Sequence, residues 1–177
     1  MLILFTIFLA CGSELRSPRA SSKGSSTTQE SGASDGETLT LEEFWSFASA
    51  IEYDIHERVT QHRKERDLDE LIPHNLLVDL TRAHSEAMAM QEVPLGHDGF
   101  EERYDIIVDE ICYDIFFVAE NVGYSDTIDN AGETIFANWL SNEEYRGNIE
   151  GPFHLSSIGS FELENQVYAT QIFVQVQ

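Results

Sequence analysis

Three residues of this chain have types and settings suited to proton or ligand chemistry: His97, Glu120 and Tyr145. Imidazole is a general base or a metal ligand near neutral pH. His97 lies between Gly96 and Gly99, a pairing that suits a tight, exposed turn. Glu120 follows the apolar run Ile115-Phe116-Phe117-Val118-Ala119. A carboxylate drawn partly out of water in this way seeks a histidine, a metal or backbone N–H groups. The Tyr145 hydroxyl can bond to either neighbour, and Asn121 suits the bracing of loop backbone. Each also has a plainer reading. His97 alone reads equally as a loop histidine bonded to backbone, and Glu120 as a carboxylate that pins a loop. Arg103 and Arg146 read as ion-pair partners bracing a cleft.

Other chemistries find little support. His84 and Ser85 are adjacent, but neighbouring positions of a helix do not face one another. His84 therefore reads as a core or interfacial residue. There is no Gly-x-Ser-x-Gly, phosphate-binding loop, Cys-x-x-Cys pair or internal repeat. Cys112 sits in an apolar run and reads as a buried structural thiol, with no disulfide framework holding the domain.

The elements that must position these residues follow from periodicity. Thr40-Leu41-Glu42-Glu43 matches a capping box, and apolar residues from Leu41 to Val59 continue at helical spacing. The charged run 61–70 reads as a solvated helix end and loop. A second helix after Pro73 should turn Leu76, Leu77, Leu80, Ala83, Ala87, Met88 and Met90 inward, ending at Pro94 and Gly96. A third helix is expected from Phe100 to Ile111. A fourth over 130–140 should bury Ile135, Phe136, Trp139 and Leu140. Ile115–Ala119 is a buried strand candidate. Ile158–Leu163 and Val167–Val174 are two more, the last central, with Glu164-Asn165-Gln166 as the turn between them. Helices around a small antiparallel sheet make an α+β layered domain.

The order of motifs carries more than any one of them. Leu80-Thr81-Arg82-Ala83-His84-Ser85-Glu86-Ala87 is followed by Gly96-His97-Asp98-Gly99-Phe100 with Arg103. Then come Ala119-Glu120-Asn121-Val122, Trp139-Leu140-Ser141, Tyr145-Arg146-Gly147-Asn148-Ile149 and Thr170-Gln171-Ile172-Phe173. Over roughly residues 50 to 176 this series resembles the bacterial branch of the CAP (SCP/PR1-like) superfamily. The resemblance implies an α-β-α sandwich with a small antiparallel sheet between helices. It also implies a shared cleft for His97, Glu120, Asn121, Glu143, Glu144, Tyr145 and Arg146. Two departures matter. Ala119 replaces a glycine, and Tyr145 stands where relatives usually carry a second cleft histidine. Loss of that imidazole compromises a zinc site. His97 and Glu120 are then the two candidate metal ligands, Glu143 or Glu144 could supply a third, and oxygen donors would favour harder cations. His154 lies in a loop and is a weaker substitute. No cofactor is otherwise implied.

The net charge is −22 over 177 residues, nearly all of it beyond residue 38. Such a surface repels nucleic acid and anionic headgroups, and a cationic partner suits it better. Residues 1–10 are almost wholly apolar and too few to span a bilayer. They fit a secretion signal, and Ala10-Cys11-Gly12 reads as a lipobox with Cys11 lipidated. The expected organisation is a signal peptide and lipobox over 1–11, a disordered serine-rich tether over 12–39 and a CAP domain over 40–177. The function expected is an extracytoplasmic, lipid-anchored or secreted binding module, not an enzyme, for a small lipid or protein ligand. The alternatives are a metal-assisted hydrolase using His97 and Glu120, and a structural envelope protein with a vestigial cleft.

Overall fold

Ser49 starts the first helix. Its hydroxyl accepts from the Glu52 N–H at 3.1 Å, and the Glu52 carboxylate accepts from the Ser49 N–H at 2.8 Å, a reciprocal capping box. The computed structural model describes residues 48–177. The Thr40 capping box, the signal and lipobox over 1–11 and the tether lie outside the described residues. Helix α1 (Ala50–Lys64) is capped at Ser49, inside the stretch from Leu41 to Val59 that periodicity reads as one helix. Four helices follow: α2 (Asn75–Ala89), α3 (Phe100–Glu110), α4 (Ala131–Ser141) and α5 (Glu143–Glu150). The strands are β1 (Ile115–Ser125), β2 (Leu155–Leu163) and β3 (Gln166–Val176).

The sheet is antiparallel with the order β1-β3-β2, so the last strand is central, as its uncharged, largely apolar run suggests. Alternate residues of β3 serve opposite faces. Val167, Ala169 and Phe173 pack with Ile51, Ile55 and Val59 of α1, Ile135 and Trp139 of α4, and Ile149 of α5. Ile172 and Val174 pack with Leu77 of α2, Ile107 of α3 and Ile111. Helices thus cover both faces, which is the α-β-α sandwich expected. On one face the approach is close enough to exclude side chains. A Cβ at Gly159 of β2 would collide with the backbone of Thr81 and Arg82 in α2.

Several local readings are corrected. α5 has no counterpart among the helices read from periodicity, because its sequence (Glu-Glu-Tyr-Arg-Gly-Asn-Ile-Glu) carries one deeply buried apolar residue, Ile149. The buried face of α2 is Leu77, Val78, Thr81, His84, Ser85, Met88 and Ala89. Ala83 and Met90 face solvent, because polar Thr81 and Ser85 meet their hydrogen-bond needs inside. Thr81 Oγ1 donates to the Leu77 carbonyl, and Ser85 Oγ to the Gly159 carbonyl. The charged run after residue 60 is not wholly solvated. Arg63 is buried and donates to the carbonyls of Ile149 and Gly151, closing the C-terminal end of α5. β1 runs past Glu120 to Ser125, and its beginning is open, with Phe116 75 % and Phe117 54 % exposed. Cys112 is exposed in the link between α3 and β1. Of the expected turn residues, Glu164 and Asn165 make the turn while Gln166 already belongs to β3. No described helix is long and apolar enough to cross a membrane.

Candidate functional site

Glu120 and Asn121 are consecutive residues of β1 and so point to opposite faces. Glu120 faces α3, where Arg103 clasps it with two bonds. Nε donates to Oε2 and Nη2 to Oε1, both at 2.8 Å. Asn121 faces α5. Its amide donates to the Tyr145 carbonyl at 3.0 Å and accepts from the Asn148 amide at 2.9 Å. One dipeptide therefore anchors the walls on both sides of the strand.

His97 stands in the turn between α2 and α3. Gly99 caps α3 at φ +76°, where a side chain would be strained, and a Cβ there would press on Arg103 Nη1 at 3.2 Å. The turn is also held by His84, whose Nε2 is 2.8 Å from the Gly96 carbonyl. That carbonyl can only accept, so the proton sits on Nε2, and Nδ1 accepts from Arg103 Nη1 at 3.2 Å. Burial, seconded by the Arg103 charge, pushes the His84 pKa down and keeps the ring neutral. Arg103 Nη1 donates also to the Asp98 carbonyl.

The same logic fixes the tautomer of His97. Nδ1 is 2.9 Å from Glu120 Oε1 and Nε2 is 3.0 Å from the Tyr145 hydroxyl. A carboxylate clasped by arginine accepts, so Nδ1 carries the proton. In the neutral ring Nε2 then accepts from Tyr145. Desolvation, with help from the charges of Glu144 and Glu120, raises the Tyr145 pKa, so the hydroxyl keeps its proton. The result is a continuous chain from Tyr145 through His97 and Glu120 to Arg103 and His84. The carboxylate of Glu120 is 1 % exposed, whereas the His97 side chain is 44 % exposed.

Structure thus joins His97, Glu120, Asn121 and Tyr145, with Arg103 as the ion-pair brace expected of it, and adds Asn148 and His84. His84 was legible as a buried helix residue, but nothing in its spacing reveals that it holds the Gly96 turn. Glu144 lines the same cavity, whereas Glu143 is exposed on the first turn of α5 and is not among the lining residues. Arg146 does not brace the cleft through an ion pair; it donates to the Leu140 carbonyl at 3.3 Å. His154 is remote, its Nδ1 accepting from the Val176 N–H.

These donors do not fit a zinc ion. Both His97 nitrogens and both Glu120 oxygens are already bonded within the protein, and arginine neutralises the carboxylate. Among the described residues no three His, Cys, Asp or Glu side chains converge as ligands. Beside the polar chain lies a cavity of about 240 Å³ walled by Phe100, Phe117, Val118 and Ala119, with His97, Glu120, Glu144 and Asn148 completing it.

The α-β-α sandwich has counterparts among solved structures. The structure is similar to an extracellular SCP-domain protein from Bacillus anthracis, with TM-score 0.57 and 18 % identity over 78 % of this chain and 45 % of that one. It is similar to a cysteine-rich secretory protein from Staphylococcus aureus, with TM-score 0.52 and 17 % identity over 71 % and 38 %. An outer surface protein from Borrelia burgdorferi gives TM-score 0.54 and 11 % identity over 80 % of this chain and 99 % of its own. The chain therefore spans less than half the length of the first two. No protein-family model matches the sequence, and no curated protein sequence does. The protein has the CAP (SCP) fold.

Proposed function

We propose that this protein is a non-enzymatic, extracytoplasmic binding module that holds a small lipid or a protein segment in the cleft beside β1. One observation carries the reading. The groups that could do chemistry are bonded to one another, while the wall next to them is apolar and open. A hydrolase needs a base free to take a proton from water or substrate. Here His97 Nε2 is occupied by Tyr145, and Glu120 by Arg103 and His97. An apolar wall with a few convergent polar groups is the ordinary make-up of a ligand site. The net charge of −22 favours a neutral or cationic ligand over an anionic one.

An extracytoplasmic setting agrees with the relatives, one described as extracellular and another as an outer surface protein. Anchoring through lipidated Cys11, with residues 12–39 as tether, belongs to the same proposal. A Cys11→Ser protein should leave the membrane fraction, and one that stays there would sink the anchor. The cleft is tested by titrating the full chain with the neutral dye Nile red. Saturable fluorescence, weakened several-fold in His97→Ala at unchanged melting temperature, is expected. Absence of saturable binding, together with a large loss of stability in His97→Ala, would favour a structural protein with a vestigial cleft.

A further inference from the structure

Phe117, Val118, Ala119 and Glu120 are successive residues of β1, yet all four line one cavity. Side chains of successive strand residues point to opposite faces. A cavity touching all of them must lie along the edge of the strand, where its backbone is reached from the side. β1 is an outer strand, and among the described residues β3 is its one strand partner. On its outer side, alternate N–H and C=O groups face away from the sheet. Further along, that side is covered: the Trp139 indole donates to the Val122 carbonyl at 2.9 Å. At Glu120 the His97–Tyr145 hydrogen bond crosses that same side, since it joins the turn bonded to Glu120 on one face to α5 bonded to Asn121 on the other. Before that crossing, Phe117 to Ala119 line the open cavity.

Edge strands of soluble proteins are usually blunted by charge, proline or a covering element. This one carries five consecutive apolar residues, Ile115 to Ala119. The register shift between Ile115 and Phe117 leaves Phe116 as the most exposed large apolar side chain among the described residues, at 75 %. Charge sets the occupant. Exposed Glu144 lines the cavity and exposed Asp114 directly precedes the strand, an acidic rim, whereas the nearby Arg103 is buried and spent on Glu120. A second copy of the chain would bring the same acidic rim and be repelled. The cavity, at about 240 Å³, opens beside this stretch of the strand.

We infer that the open edge of β1 receives an extended cationic peptide segment as a fourth strand. Its backbone pairs with Ile115–Ala119, its apolar side chains meet Phe116 and Phe117, and its lysines or arginines meet Glu144 and Asp114. This deepens the binding reading above and rests on it.

The test uses the full chain and fluorescein-labelled decapeptides of alternating valine and lysine. Micromolar binding is expected, with slowed amide hydrogen exchange at Ile115–Ala119 and competition with Nile red. N-methylation of the peptide backbone on one edge, or the substitution Phe117→Lys in the protein, should weaken it by about tenfold or more. A glutamate-for-lysine peptide should not bind. Binding that survives N-methylation and Phe117→Lys and merely fades with salt would overturn the inference, as it would show diffuse charge attraction. Full protection of Ile115–Ala119 in the free chain would also overturn it, because another segment or copy would then fill the edge. No peptide binding while Nile red still binds in a His97-dependent way would refute the strand-addition model and leave the cleft reading intact. If neither probe binds, both fail.

Discussion

At the scale of single residues, the cleft is governed by one buried ion pair. Glu120 and Arg103 are both buried, and the two bonds between them satisfy each charge. Removing one partner of such a pair strands the other, at a cost of about 3–5 kcal/mol. Glu120→Ala should therefore lower stability in urea by that amount, whereas His97→Ala, on a side chain 44 % exposed, should lower it by less than about 1 kcal/mol. From sequence alone both substitutions look like probes of binding; structure makes the first a folding variant. In the double variant Arg103→Met with Glu120→Ala, most of the loss should be recovered, and an additive loss would refute the pairing argument. Tyr145 was legible as the departure that removes an imidazole. Its bond to His97 Nε2 depends on where a turn and a helix meet in space, and no local pattern holds that information.

Elements show where reading a sequence succeeds and where it fails. The central strand was legible because all eleven of its residues avoid charge, and a strand covered on both faces needs that composition. α3 and α4 were legible from apolar spacing. α5 was not, since its place is set by the Asn142 cap, the Arg63 clasp and Asn121 rather than by an apolar stripe. The inward face of α2 was read in part: Leu76, Leu77, Leu80 and Met88 pack inward as expected. Gly159 lets α2 lie against β2 backbone to backbone, so the small polar residues Thr81 and Ser85, which no apolar pattern marks, form that contact. Gly159→Ala should cost about 1–3 kcal/mol or more by overpacking, measured by urea unfolding. A neutral result would mean that the helix does not sit so close.

For the whole molecule, charge and buried histidines set the response to solution conditions. Burial holds the His56 pKa down to about 4 and depresses those of His74 and His84 as well. In the unfolded chain these rings take up protons near pH 6.5, while the folded protein resists. Their contribution to stability is therefore complete above about pH 6.5 and is lost as pH falls towards 4, with about 3 kcal/mol at stake for His56 alone. His56→Gln should flatten the stability profile across that window, and parallel profiles would show that the ring is not held neutral. The uncompensated charge of −22 acts at all neutral pH values. Added salt should raise the melting temperature by screening self-repulsion.

The central claim is that the polar groups of the cleft are spent on one another, leaving its apolar wall and open edge to bind. Calorimetric titration of the full chain with Zn²⁺, Ca²⁺ and Mg²⁺, beside the His97→Ala variant, tests this most directly. The account predicts weak heats, alike in both proteins and suppressed by salt, from cations gathering at an acidic surface. A stoichiometric micromolar site present in the native chain and lost in His97→Ala would contradict it and restore the case for metal-assisted chemistry.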